Sequence, residues 1–512
     1  MKKICVLLAS ISLVAVACGG DDDGDDGADT TTAASAATTA AAPATTAAGT
    51  SAPDGGASAS SAPDTSTAGG GDEPADGGSF VSLESATESE AMISSFSASI
   101  DDLFGEFPTV TGETTRGVTD TAVNLGVVAD FTFGGQPAFS GLCEGAKARA
   151  EKANADGELV REVNIVGCDD MSGDPSRATL VLNDYVKDKE AFALIAQAVL
   201  PFPTNILQEE HVPHFGWGFN LSWCGPDNPF AFGTTGAANC DAVVTESNDA
   251  KVVVTQVIEG LVFEALKRDG LIEGPADVRL AIIGEDTATA KESVANERRN
   301  AEAVGAEVVY AETPVPLNAA TPDYSPYVQQ IMSSDANAVF SLLSLGAQTP
   351  FLQALKQAGY EGVVYQTTAT AKEFLQIPAI GPALDGVYAL TVGTGNPAGT
   401  SAEWDEVRAA AEQQGVSVNS GFLHGYFGTE MFVQAFGALE QSGETITTEN
   451  LVNLMNSGWS YPGFGDVFNG TNWPMDHYAG TSCSGVSRFD AEAKELVEVL
   501  PLSCGGREVV DS

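Results

Sequence analysis

With 512 residues, 43% of them apolar, the chain has ample material for two hydrophobic cores and lacks the apolar run of a membrane-spanning protein. Its 23 Lys and Arg stand against 70 Asp and Glu, and the formal charge of −47 repels phosphate backbones, which excludes nucleic acid as a partner. So much acid reads as a solvated surface plus an acidic tether in preference to a cation-binding device.

In chain order, Lys2 and Lys3 precede an apolar run, 4–16, too short to cross a bilayer and shaped like a signal-peptide core, so 1–17 is read as an export segment. Ala15-Val16-Ala17-Cys18-Gly19 resembles the lipobox of bacterial lipoproteins, with Ala15 in place of the usual leucine. That resemblance makes Cys18 the lipid-attachment residue and the first of the mature chain. Residues 18–80 are Asp, Thr, Ala, Ser, Gly and Pro with almost no apolar bulk, a composition that cannot offset the entropy of ordering. This disordered tether would reach about 40 Å as a flexible coil. Over 81–120 a short amphipathic helix is expected at 84–104, carrying Met92, Ile93, Phe96, Ile100 and Leu103 on one side, followed by a connector.

Val123-Asn124-Leu125-Gly126-Val127-Val128 then has the composition of a strand buried on both faces. A glycine-bearing loop, 131–137, leads to a helix over 138–155, and a second strand, 160–166, runs out at Cys168-Asp169-Asp170. Asp174 in the N-cap position before Pro175 predicts a second helix, and a third strand follows at 192–198. Beyond it, 204–210 reads as helix, 211–216 as a fourth strand, 220–239 as an excursion and 250–268 as one long helix. A second series has strands at 278–283, 307–311, 338–343 and 362–366, alternating with helices at 289–304, 323–332 and 349–358. Gly305 and Gly359 are the expected helix stops. A strand at 386–392, helices at 402–413, 422–441 and 448–455, and two strands around Asp490-Ala491-Glu492-Ala493 complete the chain. Strands separated by single helices are joined by crossovers, so the fold class is α/β with two doubly wound parallel sheets.

The stretches NLGVVADFTFGGQ, GAKARAEKAN and CDDMSGDPSRA, then VRLAIIGEDTATAKES, AEAVGAEVV and PDYSPYVQQIMSSDANAVF, together resemble the leucine/isoleucine/valine-binding proteins, the type I periplasmic solute-binding proteins of ABC importers. The resemblance covers most of 121–501. It implies two lobes joined by a three-crossing hinge near Thr245, Gly393 and Ser460, with 121–245 plus 394–460 as the first lobe and 246–393 plus 461–505 as the second.

In open parallel sheets a ligand lies beyond the carboxyl ends of the strands. That position selects Phe131 and Gln136, then Leu200, Phe202 and Thr204, then Trp217 and Phe219 in the first lobe. In the second it selects Thr287 and Thr289, Ser344 and Leu345, and Thr368. Phe202, Trp217 and Phe219 read equally well as core or lobe-contact aromatics. The amino-acid-binding relatives hold a ligand carboxylate with small hydroxyl residues where this chain has Leu200-Pro201-Phe202-Pro203 and Gly216-Trp217-Gly218-Phe219. Thr289 stands near their usual tyrosine and Thr368 near the acidic residue that meets the ligand amine. A buried ammonium without a carboxylate costs several kcal/mol, so the expected solute is an amide or a less polar or aromatic compound.

Six cysteines remain after the export segment. In an exported chain they predict disulfides, and Cys143 with Cys168, Cys224 with Cys240 and Cys483 with Cys504 is the expected pairing among about 15 possible ones. No C-x-x-C spacing favours a metal, and His211 and His214 read as structural. No G-x-G-x-x-G follows the first strand, and neither a G-x-x-x-x-G-K-[ST] loop nor a G-x-S-x-G elbow occurs. The expectation is a non-enzymatic, cofactor-free monomer, lipid-anchored on the outer face of the cytoplasmic membrane, that captures a small molecule and passes it to an ABC permease. A ligand-sensing surface receptor of the same fold is the alternative.

Overall fold

In Ala122–Ala129, Val123 and every residue after Asn124 are buried, the signature of a strand covered on both faces, and this segment is β1. After it come α1 (Leu142–Asp156), β2 (Glu162–Asp170), α2 (Pro175–Lys187), β3 (Ala193–Ala198), α3 (Thr204–Glu209), β4 (His214–Gly218) and β5 (Ala231–Ala237). The second series is α4 (Glu259–Arg268), β6 (Arg279–Glu285), α5 (Ala288–Ala303), β7 (Glu307–Val315), α6 (Ser325–Ser333), β8 (Ala338–Leu342), α7 (Leu345–Gln357), β9 (Val363–Gln366) and β10 (Tyr388–Val392). Three helices, α8 (Ala402–Gln413), α9 (Ser420–Ser442) and α10 (Thr448–Asn456), and two strands, β11 (Cys483–Asp490) and β12 (Glu495–Cys504), follow. The computed structural model describes residues 84–85, 106–133, 136–137, 139–198, 202–218, 221–237, 251–255, 258–316, 323–367, 375, 378, 380–505 and 507–511. The export segment with Cys18, the tether, most of the 84–104 helix, Cys240, the Thr245 crossing and the candidates Leu200, Phe219 and Thr368 lie outside them.

The first sheet has the order β2-β1-β3-β4-β5, parallel throughout. Val123, Leu125 and Val127 enter a core with α1 and α9, while Val128 and Leu194 enter another with Leu182 and Tyr185 of α2. As predicted, the Asp174 side chain accepts from the N–H groups of Ser176 and Arg177, with Pro175 opening α2. Where α1 crosses α9 the backbones nearly touch. A Cβ on Gly145 would lie 2.1 Å from the Phe422 carbonyl oxygen, and one on Gly425 would lie 2.0 Å from that of Leu142.

The second sheet repeats the plan: β7-β6-β8-β9-β10 are parallel, and β11 and β12 extend the edge antiparallel. Leu280, Ile282 and Phe340 pack on α4, and Ala281, Ile283 and Val339 pack on α6 and α7. Disulfides join Cys143 to Cys168 and Cys483 to Cys504, as expected, and Cys224 is also disulfide-bonded.

Several expectations need correction. His211 takes a left-handed turn conformation (φ 53) and Pro213 follows, so the fourth strand starts at His214. The 220–239 excursion contains β5, a fifth parallel strand. The long helix of 250–268 divides into a strand, Lys251–Thr255, paired antiparallel with Arg507–Asp511, and α4, because Lys-Val-Val-Val-Thr is β-branched in its middle. Glu84 and Ser85 pair with Cys504 and Ser503 instead of opening a helix.

Three strands run side by side where the chain passes between cores. Thr481 N–H donates to the Thr235 carbonyl at 2.7 Å, Gly393 N–H to that of Cys483 at 2.8 Å, and Asn469 N–H to that of Gly393 at 2.9 Å. The last passage therefore comes at 480–483 and not at Ser460, since Tyr461, Val467, Phe468 and Trp473 are buried in the first core. The connector over 106–118 is strapped to this same lobe. Asn453 makes two 2.8 Å bonds with the Val110 backbone, Thr114 Oγ1 donates to Glu449 at 2.7 Å, and Phe107 stacks on His477 at 4.6 Å.

Candidate ligand-binding site

The order 2-1-3-4-5, counted by strand within each sheet, leaves one crevice where the chain reverses its direction of winding, beyond the carboxyl ends of the first and third strands. In the first lobe that crevice lies between β1 and β3. The Asp130 N–H donates to the Gln197 carbonyl at 3.1 Å, and the Asp130 carboxylate accepts from Gly173 N–H at 2.8 Å. Gln197 is only 1% exposed, and its side-chain oxygen has no hydrogen-bond partner. Opposite it in register stands Trp217 of β4, half-buried, with its ring 5.5 Å from Phe139 and 6.4 Å from His424. Burial pushes the His424 imidazole down to about 4, so it is neutral at pH 7, and its Nδ1 lies 2.9 Å from Thr234 Oγ1. Phe131 is half-buried against the first core, and Gln136 sits in the strand Gln136–Pro137, paired with Thr132–Phe133.

Phe202 and Thr204 are placed differently. Phe202 is buried between His214 and Trp223, at 5.8 and 6.4 Å, and Thr204 is buried at the first turn of α3. Both belong to the packing of the lobe. His214 is fully enclosed, with burial lowering it to about 4, and His211 bonds Glu449 across the lobe.

In the second lobe the matching crevice lies between β6 and β8. Glu285 ends β6, 8% exposed, and accepts a 2.7 Å hydrogen bond from Ser344 Oγ at the entry to α7. Burial raises its pKa, while the Ser344 bonds pull the other way. Tyr324, 4% exposed, joins the same core layer, and its hydroxyl is pushed up to about 12 by burial and the Glu285 charge. Nearby, Ser341 Oγ donates to Gln348 Oε1 at 2.5 Å, and Gln348 Nε2 has no partner. Thr287 is occupied as the N-cap of α5, accepting from Ala290 N–H at 3.0 Å, and Thr289 lies in the first turn behind it. Leu345 is the first residue of α7.

The sequence profile described as "Periplasmic binding protein" matches residues 122–490. The chain belongs to the periplasmic binding protein family. Among solved structures it is similar to a fatty acid ABC transporter substrate-binding protein from Thermomonospora curvata (17% identity, TM-score 0.58, 78% of this chain and 95% of that one). It is also similar to a solute-binding protein from R. palustris in complex with 4-hydroxybenzoate (16%, 0.55, 76% and 98%) and to a branched-chain amino acid ABC transporter protein from Thermus thermophilus with bound valine (13%, 0.56, 75% and 97%). A sequence search of the curated proteins gives no significant match.

The type I fold expected from the resemblance is thus the fold of this binding protein. Of the sequence-derived candidates, Phe131 and Trp217 lie at the carboxyl ends of strands of the first sheet, and Thr287 and Ser344 follow the carboxyl ends of strands of the second. Gln197, Glu285, Tyr324 and His424 escaped the sequence reading. A signal existed for two of them, since Gln197 and Glu285 are the polar residues that close otherwise apolar strands, Ala-Leu-Ile-Ala-Gln and Ala-Ile-Ile-Gly-Glu. The paired acids at these edges have local partners: Asp169 holds Tyr185 and Lys189, each at 2.6 Å, Asp170 holds Thr132 and Ser172, and Asp286 holds Lys291 at 2.6 Å. Among the described residues no cluster of three or more His, Cys, Asp and Glu is arranged to hold a metal ion.

Proposed function

We propose that this binding protein is an extracytoplasmic lipoprotein that encloses a small molecule between its lobes and delivers it to an ABC permease, without catalysing a reaction. One observation carries the reading. Two doubly wound lobes are joined by three adjacent strands, and the winding-reversal crevice of each holds buried polar side chains, Gln197 in one and Glu285 in the other. A solute that touches both lobes only when they are shut has higher affinity for the shut form and so drives the hinge. The relatives named above, described as proteins of ABC transporters, support the same role, and the molecules named with them, a fatty acid, 4-hydroxybenzoate and valine, are small organic compounds.

The solute we propose is amide-like or aromatic, resting on Phe131, Phe139 and Trp217. The anchor is Cys18, with the protein acting as a monomer on the outer face of the cytoplasmic membrane. Mass spectrometry of small molecules released by denaturing the purified chain is the direct test, together with scattering profiles on re-addition. A released compound that shrinks the particle supports the reading, and a profile unmoved by every released compound overturns it. For the anchor, Cys18→Ala should move the chain from the membrane fraction to the medium.

A further inference from the structure

Beyond β12 the carboxyl-terminal tail leaves the second sheet and returns to the strands that join the lobes. Gly505 N–H donates to the Ser482 carbonyl at 2.7 Å, and Arg507–Asp511 runs antiparallel to Lys251–Thr255, in register from Arg507 opposite Thr255 to Asp511 opposite Lys251. Ser482 belongs to the last passage between the lobes, and Lys251–Thr255 follows the first passage and precedes α4. The tail also begins at a covalent tie, since Cys504 is bonded to Cys483 of the last passage. The second passage meets the same point: Gly393 N–H donates to the Cys483 carbonyl at 2.8 Å, and Val392 stands opposite Ser484. On the side of the second lobe, all three passages are therefore joined, directly or through the tail.

The side of the first lobe is tied more loosely. Among the described residues, the first and last passages meet there through the 2.7 Å bond from Thr481 N–H to the Thr235 carbonyl and the bridge between Gly236 and Gly480. Thr235 Oγ1 and Asn469 Oδ1, both buried, lack hydrogen-bond partners among these residues. A rotation between two rigid bodies is absorbed where the connecting chain is least restrained. The tail itself needs support, because an isolated two-stranded ribbon is marginal in water. Cys504, just ahead of it, supplies that support by holding the tail close to Lys251–Thr255, which turns their pairing into an intramolecular step at high effective concentration.

We propose that the carboxyl-terminal tail is a hinge clasp. Paired with Lys251–Thr255 and bonded to Cys483, it makes one block of the second-lobe ends of the three passages and confines the rotation of the lobes to the first-lobe ends, around Thr235, Gly393 and Thr481. The inference goes beyond the receptor reading and its test uses no solute, so its failure leaves that reading standing.

The test is hydrogen–deuterium exchange and small-angle scattering on the chain without added solute. The wild type is compared with a chain ending at Gly505, which keeps the disulfide and loses the ribbon, and with Cys483→Ser plus Cys504→Ser, which keeps the tail and loses its tie. In the wild type the amides of Lys251–Thr255 should be protected. Truncation should speed exchange at Gly393 and Thr481 by about tenfold or more and spread the scattering profile toward larger dimensions, while β1, β3, β6 and β8 keep their protection. The cysteine pair should do the same and also release Lys251–Thr255. Unchanged exchange at Gly393 and Thr481 in the truncated chain overturns the inference, and so does a wild type in which Lys251–Thr255 exchanges as fast as unpaired chain. If either variant also loses protection in the cores, Val509→Pro, which breaks the ladder within the ribbon, is read at Gly393 and Thr481 by the same two outcomes: faster exchange supports the clasp and unchanged exchange overturns it.

Discussion

Buried ionisable residues give this protein opposing responses to pH. Burial holds His214 and His424 at about 4, against an ordinary value of about 6.5, so the folded protein keeps them neutral while the unfolded chain protonates them. Their contribution to stability is complete above pH 6.5 and is lost as the pH falls toward 4. Glu259 and Glu297 act in the reverse sense. Burial raises both, Glu297 to about 7, because two carboxyl groups enclosed together cannot both ionise, so the pair favours folding at acid pH and costs stability as the pH rises through 7. His424→Asn should therefore remove about 1.4 kcal/mol per pH unit of acid-side loss between pH 6.5 and 4, and Glu259→Gln should flatten the alkaline-side loss. Urea denaturation across pH 4 to 8 measures both, and slopes that change in the same direction would contradict the assignment. Arg149 is a second residue of this kind. Burial opposes its charge, but contacts to Glu430 and to Glu158, the latter at 2.5 Å, more than offset that and raise its pKa. Arg149→Met leaves the largely buried Glu430 carboxylate, 13% exposed, without its cation and should cost about 3–5 kcal/mol in the same denaturation assay.

At the scale of elements, the strands with the cleanest patterns were legible in the sequence. β1, β3, β6 and β8 are apolar, β-branched runs between turn residues, and their alternation with helices dictates a parallel sheet. What escaped were elements whose burial comes from distant partners. β5, Ala-Phe-Gly-Thr-Thr-Gly-Ala, has too little apolar alternation to stand out and is a strand because β4 offers it an open edge. The 461–473 segment joins the first lobe because Phe468 and Trp473 fit against Phe427 and Phe232, contacts that local spacing cannot announce. At the candidate site, Glu285 meets Ser344 across 59 residues of sequence, a contact that depends on two strands coming side by side and that local spacing cannot announce. The disulfide between α1 and the far end of β2 was legible and is open to test. It closes a 25-residue separation, so Cys143→Ala with Cys168→Ala should lower stability by about 3 kcal/mol in thermal or urea unfolding, with the β11–β12 pair intact.

For the whole molecule, the three strands between the lobes decide whether the protein can work as a jaw. The crossing is built from small polar residues that are buried but incompletely bonded: Thr235 Oγ1, Asn396 Nδ2 and Asn469 Oδ1 have no hydrogen-bond partner. Each such group costs about 1–3 kcal/mol, so a small rotation that pairs some and frees others changes the energy little, which is what a hinge between two rigid cores needs. Gly393 is the tightest point. Its φ of 76 is one that side chains rarely adopt, and a Cβ there would meet Thr235 Cγ2 at 2.4 Å and Asn469 Oδ1 at 2.5 Å. Gly393→Ala should therefore push two crossing strands apart without touching either core. The expected outcome is a loss of about tenfold or more in affinity for the native solute and a smaller change in scattering on its addition, with unfolding of the two lobes shifted by no more than about 1–3 kcal/mol. Gly157, also left-handed but with open space for 4 Å around the position of a Cβ, supplies the control, since Gly157→Ala carries the same backbone strain at a surface turn of the first lobe. If both substitutions weaken binding equally, the crossing is not where closure is governed. If only Gly393→Ala does so, the flexibility that lets a solute shut the lobes resides in these three strands.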